Sequence, residues 1–421
     1  MLIQFLEWFR DNVWDFPGSG LVNYVTFRAG LATILSLIIS MIFGGKIIQY
    51  LKRLQVGETV RDLGLTGQKA KEGTPTMGGV IIIMAILIPC LLVCDLSNVY
   101  VLLMIISTIW MGIIGFIDDY IKVFRKDKEG LKGSFKILGQ VGLGLIIALT
   151  MMFSDQVVVR TDVATAQEMH FEEQRVSEIT QVAKANGKLE AKADYKALIT
   201  NVPFTKGNRL DYRSLIPLPR EKAGNWVWLL FIPLIIVIVS AVSNGANLTD
   251  GLDGLATGVS GIVGLTLAVF AYVSSNAIAA DYLGIIQLPG TQELTIFAAC
   301  FLGASLGFLW YNSYPATVFM GDTGSLTIGG IIAAMAILLR KELLIPFICV
   351  IFLAENISVM MQVGYFKYTR RKYGEGRRLF LMAPLHHHYQ KKGISEVKIV
   401  TRFWIVSILF AVFTILTLKI R

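Results

Sequence analysis

Two adjacent carboxylates, Asp118 and Asp119, end the apolar run GIIGFIDDYIKVF (112–124), with Lys122 one turn beyond the first. A charge at a bilayer centre costs about 2.5–3.5 kcal/mol on insertion scales, so acids in such a run call for partners. Three more acids offer the same chemistry: Asp250 and Asp253 in SNGANLTDGLDGLATG (243–258), and Asp322 in FMGDTGSL (319–326). Carboxylates hold hard cations, and Mg²⁺ usually takes one or two of them beside water and substrate phosphate. Asp250 and Asp253 stand three apart, which on a helix puts them on one face. Thr249 is then a cap for that helix, while Gly251 and Gly254 let a ligand approach the backbone. Asp322 opens an apolar run, where helix N–H groups favour an anion such as phosphate. Lys69, Lys71, Lys122, Lys126 and Lys136 supply charge for a diphosphate. A membrane enzyme handling a phosphorylated nucleotide and a lipid needs these parts.

The elements that must position them are membrane spans. The chain has 421 residues, 54% hydrophobic and 16% charged, with mean hydropathy +0.61; soluble domains carry about 25% charged residues. Runs approaching the roughly 20 apolar residues of a spanning helix occur at 22–45, 78–96, 98–117, 137–153, 226–244, 255–274, 294–311, 324–339, 343–366 and 400–418. The expected fold is an all-α polytopic membrane protein of ten spans. Loops 46–77, 119–136 and 367–399 hold 6, 6 and 9 Lys or Arg, whereas the loops alternating with them near 97, 275–293 and 340–342 hold only Arg340 and Lys341. The basic side is therefore read as cytoplasmic, with both termini periplasmic. The net charge of +9 is mostly this bias and does not point to nucleic acid. All the polar motifs above then fall at the cytoplasmic face.

Residues 154–225 are unlike the rest. They hold 11 Lys or Arg and 10 Asp or Glu, and form a polar extracytoplasmic insert, between spans four and five, in a single transferase domain over 1–421. Its stretch 168–199 has helical propensity, and His170 within it reads as a surface histidine. The start of the chain lacks a cleavable signal; Trp8, Trp14 and Phe16 suggest an amphipathic segment at the outer interface. Cys90, Cys94, Cys300 and Cys349 lie inside apolar runs and read as buried hydrophobes, with neither disulfide nor metal expected of them. NLTDGLDG is not an EF-hand, since Gly261 stands where the bidentate Glu is required. The basic run RRKYGEGRR (370–378) reads as a topology anchor.

GTPTMGG (73–79), GFIDDYIK (115–122), NLTDGLDGLA (247–256), FMGDTGS (319–325) and MAPLHHHYQKKG (382–393) follow one another along nearly every span. In this order they resemble the polyprenyl-phosphate N-acetylhexosamine-1-phosphate transferases. APLHHHYQKKG looks like the peptidoglycan branch more than the branch that moves GlcNAc phosphate. The long insert departs from the family, where a much shorter loop is expected. The resemblance implies transfer of phospho-MurNAc-pentapeptide from UDP-MurNAc-pentapeptide to undecaprenyl phosphate, giving UMP and the first lipid-linked peptidoglycan precursor. It also implies Mg²⁺, a homodimer in the bacterial inner membrane, and inhibition by nucleoside antibiotics such as tunicamycin or muraymycin. By the same resemblance Asp322 binds the metal, and Asp118 is a base for the lipid phosphate or a nucleophile. Asp119 supports Asp118 by binding metal or orienting the lipid phosphate. Asn247, Asp250, Gly251, Leu252 and Asp253 match the nucleotide-side loop, Phe319 stacks on uracil, and Asn312 hydrogen-bonds nearby. Lys71 and Thr76 match a phosphate-side position. His386 and His387 shape the sugar and peptide side, where a histidine near its unperturbed pKa of about 6.5 can sense pH. Two other readings stay open: a sister GlcNAc-1-phosphate transferase, and a secondary transporter, whose midplane site and internal repeats the sequence does not show.

Overall fold

The computed structural model describes residues 8–10, 12–14, 19–54, 71–127, 129–183, 189–205, 208–218 and 220–419; Phe16 and Lys69 lie outside them. The membrane part is built from α1 (Val25–Arg53), α2 (Gly79–Val93), α3 (Val99–Phe124), α4 (Gly133–Phe153), α5 (Trp228–Thr249), α6 (Leu255–Ser275), α7 (Gln292–Asn312), α8 (Gly321–Leu338), α9 (Val350–Tyr373), α10 (Leu385–Lys391) and α11 (Glu396–Thr417). Among the described residues eight of these are long and apolar enough to cross a membrane. A ninth is counted when α9 is joined to the segment Glu342–Ile348, from which it bends by 81°. The 15-residue α2 spans roughly 22 Å at the helical rise; it packs among α1, α7 and α8. Each of the ten predicted apolar runs thus lies on helix, and the protein is a polytopic, mostly helical membrane protein.

The central element is α8, whose residues are nearly all buried; it packs on α3, α5, α2 and α6. Association in lipid has no hydrophobic drive between helices, so small residues that let backbones approach hold the bundle together. A Cβ on Gly79 would lie 2.1 Å from the Gly324 nitrogen where α2 crosses α8. Helices also run past their apolar stretches. The predicted span 98–117 continues as α3 to Phe124, because a helix needs satisfied backbone groups rather than apolar side chains.

The insert is not helical where helix was expected. Strands β1 (Val159–Asp162), β2 (Thr180–Ala183) and β3 (Leu189–Tyr195) form an antiparallel sheet in the order β1-β3-β2, and β4 (Ile199–Asn201) pairs with β5 (Arg209–Asp211). In β3 the sequence LEAKADY alternates apolar and charged residues, and that period of two outweighs a weak helical preference. Val159, Phe171, Ala193, Tyr195 and Ile199 form a small core of their own with Ile286 and Leu288. His170 is exposed, as expected. The insert caps the bundle where α4 ends and α5 begins, and the Tyr212 hydroxyl donates to Glu342 at 2.6 Å. The opposite end of α3 and α4 carries the acidic motifs.

Candidate active site

The last turns of α3 and the first turn of α8 bring three carboxylates together. One oxygen from each of Asp118, Asp119 and Asp322 lies within 4.8 Å of the others. Asp119 is bound up with α8: its Oδ1 accepts the Asp322 N–H at 3.0 Å, and its Oδ2 accepts the Thr323 N–H at 2.8 Å and hydroxyl at 2.6 Å. A carboxylate here satisfies free N–H groups of the helix start and meets the positive end of its dipole. Gly321, at φ +71°, makes the turn into α8, and a Cβ on it would stand 2.5 Å from Asp119 Oδ2. Asp119 therefore fixes the position of Asp322.

Asp118 and Asp322 face each other across two ammonium groups. Lys122 Nζ lies 2.5 Å from Asp118 Oδ2 and 3.1 Å from Asp322 Oδ2; Lys136 Nζ lies 2.9 Å from Asp118 Oδ1 and 2.5 Å from Asp322 Oδ2. The Leu131 N–H also donates to Asp118 Oδ1 at 2.8 Å, and Asn247 Nδ2 to Asp322 Oδ1 at 2.8 Å. The Asp118 side chain is 0% exposed and that of Asp322 14%, so solvent reaches the pair through Asp322. Lys126 is exposed and, among the described residues, makes no ion pair here. Hard carboxylate oxygens in this number fit a Mg²⁺ site; with Asp119 engaged by α8 and both Asp118 oxygens held by the two lysines, the partly exposed Asp322 is the natural holder.

A second constellation lies three residues before Asp322. The Gly78 N–H donates to the Phe319 carbonyl at 2.8 Å and the Phe319 N–H to the Pro75 carbonyl at 2.8 Å, so GTPTMGG runs alongside FMGD. Thr76 is buried there. Phe319 keeps part of its ring exposed, with Lys71 Nζ 5.9 Å from the ring centroid. Lys71 bridges Asp253 and Glu396 at 2.6 Å each. Burial pulls its ammonium down, but the bonds and charge of those two carboxylates outweigh that and hold it above its ordinary pKa. Asp253 Oδ2 accepts the Ala316 N–H at 3.0 Å, and Glu396 accepts the Asp253 N–H at 2.8 Å. Asn312 is buried beneath this loop: its Oδ1 accepts from the Gly254 N–H and the Thr257 hydroxyl, and its Nδ2 donates to the Val318 carbonyl. It shapes the loop rather than facing the cleft. Glu396→Gln is expected to loosen this turn by weakening a charge-assisted bond to Lys71; a lower melting temperature in detergent reads it.

Asp250 and Asp253 do not share a helix face. Helix α5 stops at Thr249, residues 250–254 form turns, and α6 starts at Leu255. Thr249 donates back to the Gly245 carbonyl at 2.7 Å and caps nothing downstream; two glycines within four residues end a helix more strongly than the i, i+3 acids favour one. Asp250 is half-buried and Leu252 buried in the core. Gly251 abuts the histidine tract, since a Cβ there would lie 2.2 Å from His386 Nε2. On α10 the three histidines diverge: His386 is fully buried, His387 Nδ1 pairs with Gln390 Oε1 at 2.7 Å, and His388 Nδ1 accepts the Leu381 N–H at 3.1 Å.

His387 corrects the expectation of a sensor near neutral pH. Burial, then the neighbouring His386 and more weakly Lys71, push its imidazole down to about 4, against a smaller upward pull from Gln390. Between about 6.5, the unfolded value, and about 4 the unfolded chain binds a proton that the folded chain refuses. Stability thus falls as pH drops through that window and is unaffected above it. Melting temperature in detergent should show this slope, and His387→Gln should flatten it; an unchanged slope removes His387 as its source.

Glu396 and Glu355 were missed from the sequence. Glu355, an acid inside the apolar stretch FLAENISVM, carries the same signal as Asp118; Glu396, in GISEVK, carries none. The phospho-N-acetylmuramoyl-pentapeptide-transferase signature 1 matches residues 71–83, a stretch that contains both Lys71 and Thr76, and the glycosyl transferase family 4 model matches 194–340. Proteins named phospho-N-acetylmuramoyl-pentapeptide-transferase are similar over whole chains: 56% identity over 420 residues in Flavobacterium psychrophilum, 53% over 421 in Flavobacterium johnsoniae and 54% over 434 in Parabacteroides distasonis, each covering 100% of both chains. With motifs, spans and full-length similarity in agreement, the chain belongs to the phospho-N-acetylmuramoyl-pentapeptide-transferase family.

Proposed function

We propose that the protein transfers phospho-MurNAc-pentapeptide from UDP-MurNAc-pentapeptide to undecaprenyl phosphate, with its catalytic face toward the cytoplasm of a bacterial inner membrane and as a homodimer. The observation that carries this is the Asp118–Asp322 pair with Lys122 and Lys136 at the membrane end of α3 and α8. A lipid phosphate reaches that level from the bilayer, and a soluble nucleotide reaches it from the loops. In the reaction, an oxygen of the lipid phosphate bonds to the sugar-linked phosphorus as the bond to the UMP oxygen breaks. Asp118 takes the proton of the lipid phosphate. A two-step alternative has Asp118 attack the sugar-linked phosphorus first, expelling UMP and forming a phospho-enzyme from which an oxygen of the lipid phosphate then displaces the Asp118 carboxylate.

Lys122 and Lys136 neutralise the charge gathering on the phosphoryl oxygens, the larger part of catalysis when groups are already in line. Asp322 would hold Mg²⁺, which supplies Lewis-acid stabilisation of the leaving oxygen. Asp119 keeps Asp322 in register through α8. Asn247, Asp250, Gly251, Leu252 and Asp253, with Lys71 and Thr76, border the nucleotide, Phe319 is its stacking platform, and Asn312 supports the loop beneath. His386 and His387 border the sugar and peptide. Nucleoside antibiotics would compete for the Phe319 side.

The test is UMP release by purified protein with Mg²⁺ and undecaprenyl phosphate, with UDP-MurNAc-pentapeptide and UDP-GlcNAc supplied separately. Release with the first alone, stopped by chelator, is the expected result. Release with UDP-GlcNAc moves the protein to the sister activity, and no release from folded protein overturns the reading.

A further inference from the structure

One buried acid has no part in the chemistry above. Glu355 sits in α9 just beyond its bend, fully buried, and reaches across thirty residues of sequence to α10. Its Oε2 accepts the Leu385 N–H at 2.6 Å and its Oε1 the His386 N–H at 3.2 Å. The same Oε1 lies 3.2 Å from His386 Nδ1. Both ring nitrogens are buried without a hydrogen-bond partner: Nδ1 lies in close contact with the carboxylate, and Nε2 points at Gly251 of the 250–254 turn. That turn carries Asp253, which Lys71 and Glu396 hold. An ionised carboxylate is acceptor-only, so it suits two backbone donors converging from one helix turn, with the edge of an imidazole packed beside them. The acid in the membrane helix therefore faces backbone N–H groups and an imidazole, the partners that make a buried carboxylate tolerable.

We propose that Glu355 is a positioning residue for the transfer reaction: from α9 it fixes the first turn of α10 and orients His386, so that Nε2 rests against Gly251 and sets the nucleotide-side turn. The proposal rests on the transferase reading for its kinetic consequence, but its structural content stands apart from it. Glutamine at 355 keeps one acceptor oxygen and turns an N–H₂ toward a donor, so it breaks part of the constellation without changing volume. Alanine at 251 pushes the ring from the other side: Gly251 has no left-handed φ to lose, and its new Cβ would overlap Nε2.

The experiment compares wild type, Glu355→Gln, Gly251→Ala, His386→Asn and the Glu355→Gln/His386→Asn double variant. UMP-release kinetics and direct UMP binding by calorimetry are both measured. Glu355→Gln is expected to raise KM for UDP-MurNAc-pentapeptide roughly ten-fold, with a smaller change in kcat and a parallel loss of UMP affinity. The double variant should be no worse than His386→Asn alone, because both act through one ring. Histidine ¹⁵N spectra should show the His386 tautomer signal shifting in Glu355→Gln. A fall in melting temperature with KM, UMP affinity and the ¹⁵N signal unchanged overturns the proposal in favour of a merely structural acid. Independent, additive effects of the two substitutions overturn it as well. Should Glu355→Gln fail to fold, Gly251→Ala decides: unaltered UMP affinity and ¹⁵N signal there overturn it. UMP binding and the spectra need no turnover, so a failure of the transferase reading shows separately, as absent turnover in wild type.

Discussion

Replacing Asp118 by asparagine is expected to lower UMP release by about 10²–10⁴-fold, the range for losing a positioned acid–base group, while leaving the protein folded. Asparagine keeps the shape of the side chain and an oxygen for the Leu131 N–H. It removes the negative charge between Lys122 and Lys136, so two ammonium groups then share only Asp322. The proton acceptor for the lipid phosphate is lost with it, and so is the nucleophile of the two-step alternative. The nucleotide side is built from other elements: Lys71, Asp253, Phe319 and His386 make no contact with Asp118. Binding of a nucleoside inhibitor should therefore survive, with melting temperature as the check on folding. Turnover like that of wild type would falsify a role for Asp118 in the chemistry.

The substitution also shows what the sequence made legible. Apolar run length placed every membrane helix, because a bilayer permits few other backbone solutions. The gathering of motifs at one end was readable from topology alone, and contacts such as Asp119 with Thr323, 204 residues apart, fulfil it. Direction was not readable. Asp118 and Asp119 are neighbours of one type, yet successive helical residues point about 100° apart. One meets two lysines and the other the start of α8. Asn312 looked like a ligand contact for the same reason; residue type shows which bonds an amide makes, and packing decides with whom. The 250–254 turn and the strands of the insert were lost where a local preference, acids three apart or a helix-prone composition, was overruled by glycines and by alternation. Glu355 and Glu396 were lost because their partners lie far away in sequence and belong to no motif with them.

The second large effect is expected from a residue with no functional group. Gly115 lies on α3 one turn before Asp119, where α3 crosses the start of α8; a Cβ there would fall 2.2 Å from the Asp322 carbonyl oxygen and 2.6 Å from its carbon. Backbone cannot yield as a side chain can, and α8 is packed on several sides and tied to Asp119. Gly115→Ala must therefore wedge α3 from α8 and draw Asp118 away from Asp322. Displacement of about 1 Å can cost on the order of 100-fold in rate, and that fall in UMP release is expected, with a lower melting temperature. Gly112, one turn earlier on α3, is the control. Its Cβ would meet the far end of the Ile83 side chain at 2.8 Å, which a change of rotamer relieves, so Gly112→Ala should stay within a few-fold of wild type. Equal activity in the two variants would mean that the α3–α8 approach does not set the carboxylate geometry. A deep loss confined to Gly115→Ala would place the register of the catalytic acids in the absence of one methyl group.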